Sequence, residues 1–216
     1  MSIVLQAIWR LFSAQRANAS TKTGSKSQTN FEVERKYRLQ PGEYDAVNSR
    51  LAALGFTLAR RIEMTDQFLP VKVDGEMLRV RDENLGTTRH IKLTIKEWVQ
   101  IAGGKERAET EGDLTPLTRN FLLFLGRLVR GKALLSFSKL RLDHESPRYA
   151  RSIVALDTVE GLGANSGQYV EIEVLVPQDG DVETARGQIA ALARSLFNED
   201  REPVKQSYMD MLKLVS

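Results

Sequence analysis

The 216-residue chain has no cysteine and two histidines, which excludes disulfides, thiolate catalysis, cysteine-ligated zinc and a multi-histidine metal site. Its 42% hydrophobic and 27% charged content is that of an ordinary globular protein, and no apolar run reaches the ~18 residues of a membrane-spanning helix. Of its 31 basic residues, four (Arg10, Arg16, Lys22 and Lys26) fall in the acid-free first 30, leaving 27 against 28 acids, a balance that gives no general affinity for nucleic acid.

Residues 1–30 read as a leader. "IVLQAIWRLFSAQR" places Ile3, Leu5, Ile8, Leu11 and Phe12 near one helical face, and "ANASTKTGSKSQTN" is a Ser/Thr-rich linker. Amphipathic, basic and acid-free is the pattern of a transit peptide, so a mitochondrial or other organellar location is expected, with the cytoplasm otherwise. A disordered tail, or a helix lying on a membrane surface, reads the same residues differently. One domain then runs over 31–216, without internal repeats.

"FEVERKYRL" opens it. Glu32, Glu34, Lys36 and Arg38 alternate with Val33, Arg35, Tyr37 and Leu39, the period of a strand. A helix follows between Pro41 and Gly55, with Tyr44, Val47, Leu51 and Leu54 at helical spacing. "TLARRIEMTDQFLP" is a second strand, and "VDGE" marks a turn. "MLRVRD" sets Arg79 and Arg81 against Leu78 and Val80, and "HIKLTIKEW" sets Lys92, Thr94 and Lys96 against Ile91, Leu93 and Ile95. "ERAETEGDL" alternates Arg107, Glu109 and Glu111 with small or polar residues. A helix over "PLTRNFLLFLGRLV" precedes "LLSFSKLRLD", with Lys139 and Arg141, and "RSIVALD", with Asp157 at a strand end. "QYVEIEVLVP" opposes Glu171 and Glu173 to Val170, Ile172 and Val174, and two helices, near 181–197 and 205–214, finish the chain.

The pattern predicts an α+β fold of about eight strands with short, antiparallel connections. Solvated sheet faces would mix Ser, Thr, Gln and Asn freely. Here the polar faces are mostly Glu, Lys and Arg, and the opposite faces are Val, Leu and Ile. A sheet closed into a barrel, with its charged faces inward and its apolar faces against helices, satisfies this. Small barrels usually fill their interior with apolar side chains, so this one is inverted.

Buried charges of one sign cost several kcal/mol unless paired or coordinated. Clustered carboxylates without His or Cys suit a hard cation, Mg2+ or Mn2+. Clustered Arg and Lys suit phosphate oxygens. Together they specify a polyphosphate chain bridged by metal, the competing reading being an internal salt-bridge network. "AGGKERAE" lacks the phosphate-loop pattern and reads as a hairpin turn. His90 is expected on a strand near the lumen mouth, His144 in a loop, and Trp98 at a strand end.

"EVERKYRL" fits the ExExK signature of the CYTH superfamily, the triphosphate tunnel metalloenzymes. The resemblance continues in order through "LRVR", "LTIKEW", "ETE", "SKLR", "LDTVEGLG", "YVEIEV" and "SYMDML", over residues 31–214. It implies an eight-stranded antiparallel tunnel acting on a small-molecule triphosphate with Mg2+ or Mn2+. It implies metal binding by Glu32, Glu34, Asp157, Glu171 and Glu173. Phosphate binding is implied for Lys36, Arg79, Arg81, Lys96, Lys139 and Arg141, with Lys205 capping the phosphate chain. Catalytic places follow for Lys36 and the mid-tunnel acids Glu109 and Glu111. The family holds thiamine, inorganic and RNA triphosphatases and class IV adenylate cyclases. "EVERKY" is similar to the thiamine triphosphatase opening. The cyclase lead-in His-Phe-x-Gly is replaced by "SQTNF". The expectation is therefore hydrolysis of tripolyphosphate or thiamine triphosphate. A cyclase acting on ATP and a non-enzymatic polyphosphate-binding module are the alternatives.

Overall fold

The alternating segments become eight strands: β1 (Asn30–Arg38), β2 (Thr57–Val73), β3 (Glu76–Asn84), β4 (Arg89–Ile101), β5 (Gly104–Asp113), β6 (Leu135–Glu145), β7 (Ser152–Glu160) and β8 (Gly167–Pro177). The computed structural model describes residues 30–215 apart from 74–75, 102–103, 132 and 178–179, with backbone alone at 30–31, 71–77 and 95–110. The leader, the tip of the "VDGE" turn and the side chains of Lys96, Trp98, Arg107 and Glu109 thus lie outside the described residues.

The strands form one antiparallel sheet in the order β1-β8-β7-β6-β2-β3-β4-β5. Its edges, β1 and β5, come round to lie beside each other with Cα atoms within 8 Å. The circuit closes by this contact, with no hydrogen-bonded ladder between the two edges among the described residues. The expected barrel is present; its seam is side by side rather than laddered.

Helices cover the apolar outer face. α1 (Glu43–Ala53) starts after Pro41 and a left-handed Gly42. α2 (Pro116–Arg130) has Thr115 as N-cap, its hydroxyl accepting from the Thr118 amide, and ends at Gly131 in the left-handed region. α3 (Val182–Phe197) is capped by Asp181, and α4 (Tyr208–Lys213) by a Ser207–Asp210 capping box. Val182, Ala185, Ile189, Leu192 and Leu196 recur on one face of α3 and are buried with Val33, Val170 and Ile172 of the sheet. Each large side chain in that contact contributes about 1.5–3 kcal/mol. α2 covers Leu69, Leu78, Val80 and Leu93. Its Gly126 lets the helix approach β2 closely, since a Cβ there would stand 2.9 Å from Leu69.

One local reading is corrected, and one strand departs from the general pattern. His144 lies within β6, buried, with Nδ1 3.0 Å from the Leu142 carbonyl oxygen, and not in a loop. In β2 the two faces are mixed: Arg61, Glu63 and Thr65 are exposed outside, while Ile62 and Met64 face the lumen beside Arg60 and Asp66. The α2 helix covers only the Leu69 end of this strand, so its earlier outer positions meet water and are polar.

Candidate active site in the barrel lumen

The lumen is a cavity of about 440 Å3 whose walls are mostly ionised. At one side, the β1–β8 ladder sets Glu34 directly opposite Glu173 and Lys36 opposite Glu171. Carboxylate oxygens of Glu32, Glu34 and Glu173 lie within 4.8 Å of one another. Burial, with Glu171 and Glu34 adding to it, pushes Glu173 up to about 7 against the opposite pull of Arg141. Like charges paired across strands destabilise a sheet. A divalent cation relieves that repulsion, and an all-carboxylate donor set suits a hard one. Asp143, which also lines the cavity, pairs one oxygen with Arg60 at 2.9 Å and keeps Oδ1 buried without a hydrogen-bond partner. The residues present therefore fit a metal.

Asp157 and Glu171, expected beside these three, are held by cations. Asp157 is fully buried and does not line the cavity. It accepts from Lys139 at 2.9 Å, from Arg141 Nε and Nη2 at 2.9 Å each, and from the Tyr208 hydroxyl at 3.3 Å. In this structure it is the counter-charge of Lys139 and Arg141 and stands apart from the Glu32, Glu34 and Glu173 group. Glu171 does line the cavity, but its carboxylate pairs with Arg141 and stands 3.8 Å from Lys139. Arg141 also reaches Glu173 at 2.8 Å. Burial opposes the charge on Arg141, yet Asp157, Glu171 and Glu173 together raise its pKa well above the usual value.

The facing wall is built from β2 to β5. Asp66, buried on β2, receives Arg81 in a fork at 2.7 and 2.9 Å and lies 3.8 Å from Arg79. Burial alone would raise Asp66, but Arg81 and Arg79 hold it well below the carboxylate range. Lys92 is 3.3 Å from Glu83 and 3.1 Å from Glu111. Thr94 accepts from Arg79 at 3.3 Å and donates to Glu111 at 3.2 Å. Lys96 and Glu109 are ladder partners one step further along β4 and β5.

Tyr208 of α4 is buried and lines the lumen. Its ring lies under the Lys36 ammonium, 3.8 Å from Nζ, and packs against Tyr169 and Phe137. Burial lowers the pKa of Lys36, with Glu171 and Glu34 pulling the other way. Burial also raises Tyr208 well above its ordinary value, helped by Glu171 and Asp157. Lys205 is exposed and does not line the cavity; Ser207, Tyr208 and Met209 provide that wall instead. His90 lines the lumen from β4.

The lumen thus brings together Glu32, Glu34, Lys36, Arg79, Arg81, Glu111, Lys139, Arg141, Glu171 and Glu173. Sequence reasoning missed Asp66, Glu83, Asp143 and Arg60. Asp66 is hidden because both faces of "EMTDQF" carry polar residues, while Glu83 lies one residue past "MLRVRD" and Asp143 is the last residue of "LLSFSKLRLD". Tyr208 was quoted within "SYMDML" without a role, although an aromatic following a basic segment leaves no distinctive signal.

A family model described as the CYTH domain matches residues 30–208. Among solved structures, the PH1819 protein of Pyrococcus horikoshii is 22% identical with a TM-score of 0.65, over 86% of this chain and 100% of that one. A putative adenylate cyclase from Vibrio parahaemolyticus is 19% identical with a TM-score of 0.56, over 86% and 99%. A Hippeastrum protein, HpAC1, described as a putative adenylyl cyclase with a dominant triphosphatase activity, is 15% identical with a TM-score of 0.56, over 86% and 96%. These three share the fold. No curated protein sequence matches significantly.

Proposed function

The chain belongs to the CYTH domain family, and on that premise we propose that it hydrolyses a triphosphate, inorganic tripolyphosphate or thiamine triphosphate, with a divalent cation. The observation that carries the reading is the pairing of chemistries in one lumen. A three-carboxylate cluster stands within the same cavity as seven cations, Lys36, Arg60, Arg79, Arg81, Lys92, Lys139 and Arg141. An anion site alone needs no clustered acids, and a metal site alone needs no wall of guanidinium and ammonium groups.

Glu32, Glu34 and Glu173 would hold Mg2+ or Mn2+, which when bound neutralises phosphate charge and acidifies a water. The rest follows from the chain's own groups. The transition state spreads negative charge over the phosphoryl oxygens, so fixed cations stabilise it most when they need not reorganise. Asp66 fixes Arg81 and Arg79, and Asp157 fixes Lys139 and Arg141. Glu111 orients Lys92 and, through Thr94, Arg79. Lys36 Nζ, held over the Tyr208 ring and opposite Glu171 in the ladder, offers its ammonium to a phosphoryl oxygen. Glu109 and Lys96 keep the mid-tunnel and phosphate roles that the family resemblance implies. The triphosphatase activity named for the Hippeastrum protein agrees with hydrolysis.

Incubation with Mg2+ or Mn2+ and tripolyphosphate, thiamine triphosphate or ATP, with products resolved by chromatography, tests this. Orthophosphate from the first two is the expected result. Cyclic AMP and pyrophosphate from ATP, with negligible orthophosphate from tripolyphosphate, would replace it with cyclisation. Binding without turnover would reduce the lumen to a polyphosphate-binding module.

A further inference from the structure

The α2 helix is apolar on two opposite sides. Leu122, Leu123 and Gly126 are buried against the barrel. On the far side Leu117, Phe121, Phe124 and Leu128 are 81%, 55%, 61% and 68% exposed. Their spacing puts them on one stripe, the seam pattern by which a helix packs along another helix. The stripe is about 16 Å long at the helical rise per residue. A single exposed leucine needs no explanation, but a contiguous run of large apolar side chains does.

The order Leu, Phe, Phe, Leu reads identically in both directions about a point between Leu122 and Leu123. We propose that this stripe is a homodimer interface, in which two copies of α2 pack antiparallel across a two-fold axis through that point. A two-fold interface uses the same patch twice, so the patch must complement itself. In this pairing Leu117 meets the partner's Leu128, and Phe121 meets the partner's Phe124. Aromatic pairs of this kind add about 0.5–1.5 kcal/mol beyond their buried area.

Charge selects the direction and the partner. α2 contains no acidic residue, and Arg127 is the exposed cation flanking the stripe. A parallel pair would place the two Arg127 side chains at the same level. The antiparallel pair separates them along the axis by about 13 Å, beyond the screening length of roughly 8 Å at physiological salt. Arg119 is turned back to the barrel, bonded to Gln67 and 3.4 Å from Asp82, so it does not face the seam. The stripe buries on the order of 500 Å2 per copy, about 1,000 Å2 in all, the lower bound for a specific interface.

The chain has no cysteine, which permits a direct test of register. Sedimentation equilibrium of the full chain should give twice the chain mass at high micromolar concentration. Phe121→Glu should give the monomer mass with an unchanged circular dichroism spectrum. Under oxidation, mixed Leu117→Cys and Leu128→Cys proteins should cross-link, whereas Leu117→Cys alone should not, its two copies lying about 16 Å apart along the axis. A monomer at all concentrations, a dimer that survives Phe121→Glu, or self-cross-linking of Leu117→Cys would each overturn the proposal. So would a monomer that co-sediments with phosphatidylserine vesicles through this stripe, which would give the face to a lipid surface.

Discussion

Glu34 of β1 faces Glu173 of β8 across the ladder, and Glu32 completes the carboxylate group. Two acids in that relation are costly until a cation joins them. With Glu173 raised from 4.5 to about 7 by burial first and its acidic neighbours next, the folded state binds the proton more tightly than the unfolded chain. The group's cost to the fold is absent below about pH 4.5 and complete above about pH 7. Metal-free protein should lose stability across that window. Glu173→Gln should remove the loss, on the order of 1–3 kcal/mol at pH 8, while abolishing stabilisation by added Mn2+. Thermal melts of both proteins with chelator and with Mn2+ check it; equal metal-induced shifts in the two would contradict it.

Asp66 acts through the arginines it holds. Asp66→Asn keeps the shape but leaves Arg79 and Arg81 facing each other without their buried counter-charge. Breaking such a pair costs about 3–5 kcal/mol, and denaturant unfolding should report a loss of that order. In the fraction that remains folded, KM for tripolyphosphate should rise more than kcat falls. A wild-type midpoint with wild-type kinetics would show that Asp66 does not position the wall.

A second acid-sensitive contact lies outside the lumen. Arg201 grips Glu43 of α1 through two bonds of 2.7 and 2.8 Å, tying α1 to the segment that leads into α4. The hydrogen bonds from Arg201, only partly offset by burial, bring Glu43 from 4.5 down to about 2. A depressed carboxyl contributes stability that is present above about pH 4.5 and lost as the pH falls toward 2. The pair is partly solvated, so its contribution is below about 1 kcal/mol. Glu43→Gln should flatten the melting temperature between those pH values by a few degrees at most, with no change near pH 7 beyond the loss of the pair. An identical acid limb in the variant would contradict it.

The alternation of Glu32, Glu34 and Lys36 with Val33 and Tyr37 was enough to read β1, and the same contrast in β3, β4, β6 and β8 made the inverted barrel legible. The rule failed on β2, because whether an outer position is apolar depends on whether a helix covers it, and that is a tertiary fact. Charge identity also hid partnership. Asp157 and Glu173 look alike in sequence, but one is sealed beneath Lys139 and Arg141 and the other opens to the lumen. Lys205 has the charge that a phosphate cap needs, but its place beyond the lumen is set by α4, which turns Tyr208 inward and leaves Lys205 exposed.

The central claim is that the three carboxylates and the cation wall work on one metal-bound triphosphate. The direct measurement is the rate of orthophosphate release from tripolyphosphate, against added Mg2+ or Mn2+, for the natural chain and for Glu34→Gln. The account predicts a rate that rises with metal, vanishes in excess chelator and falls about 100-fold or more in the variant. Hydrolysis that persists in chelator, or a variant as fast as the natural chain, would contradict it.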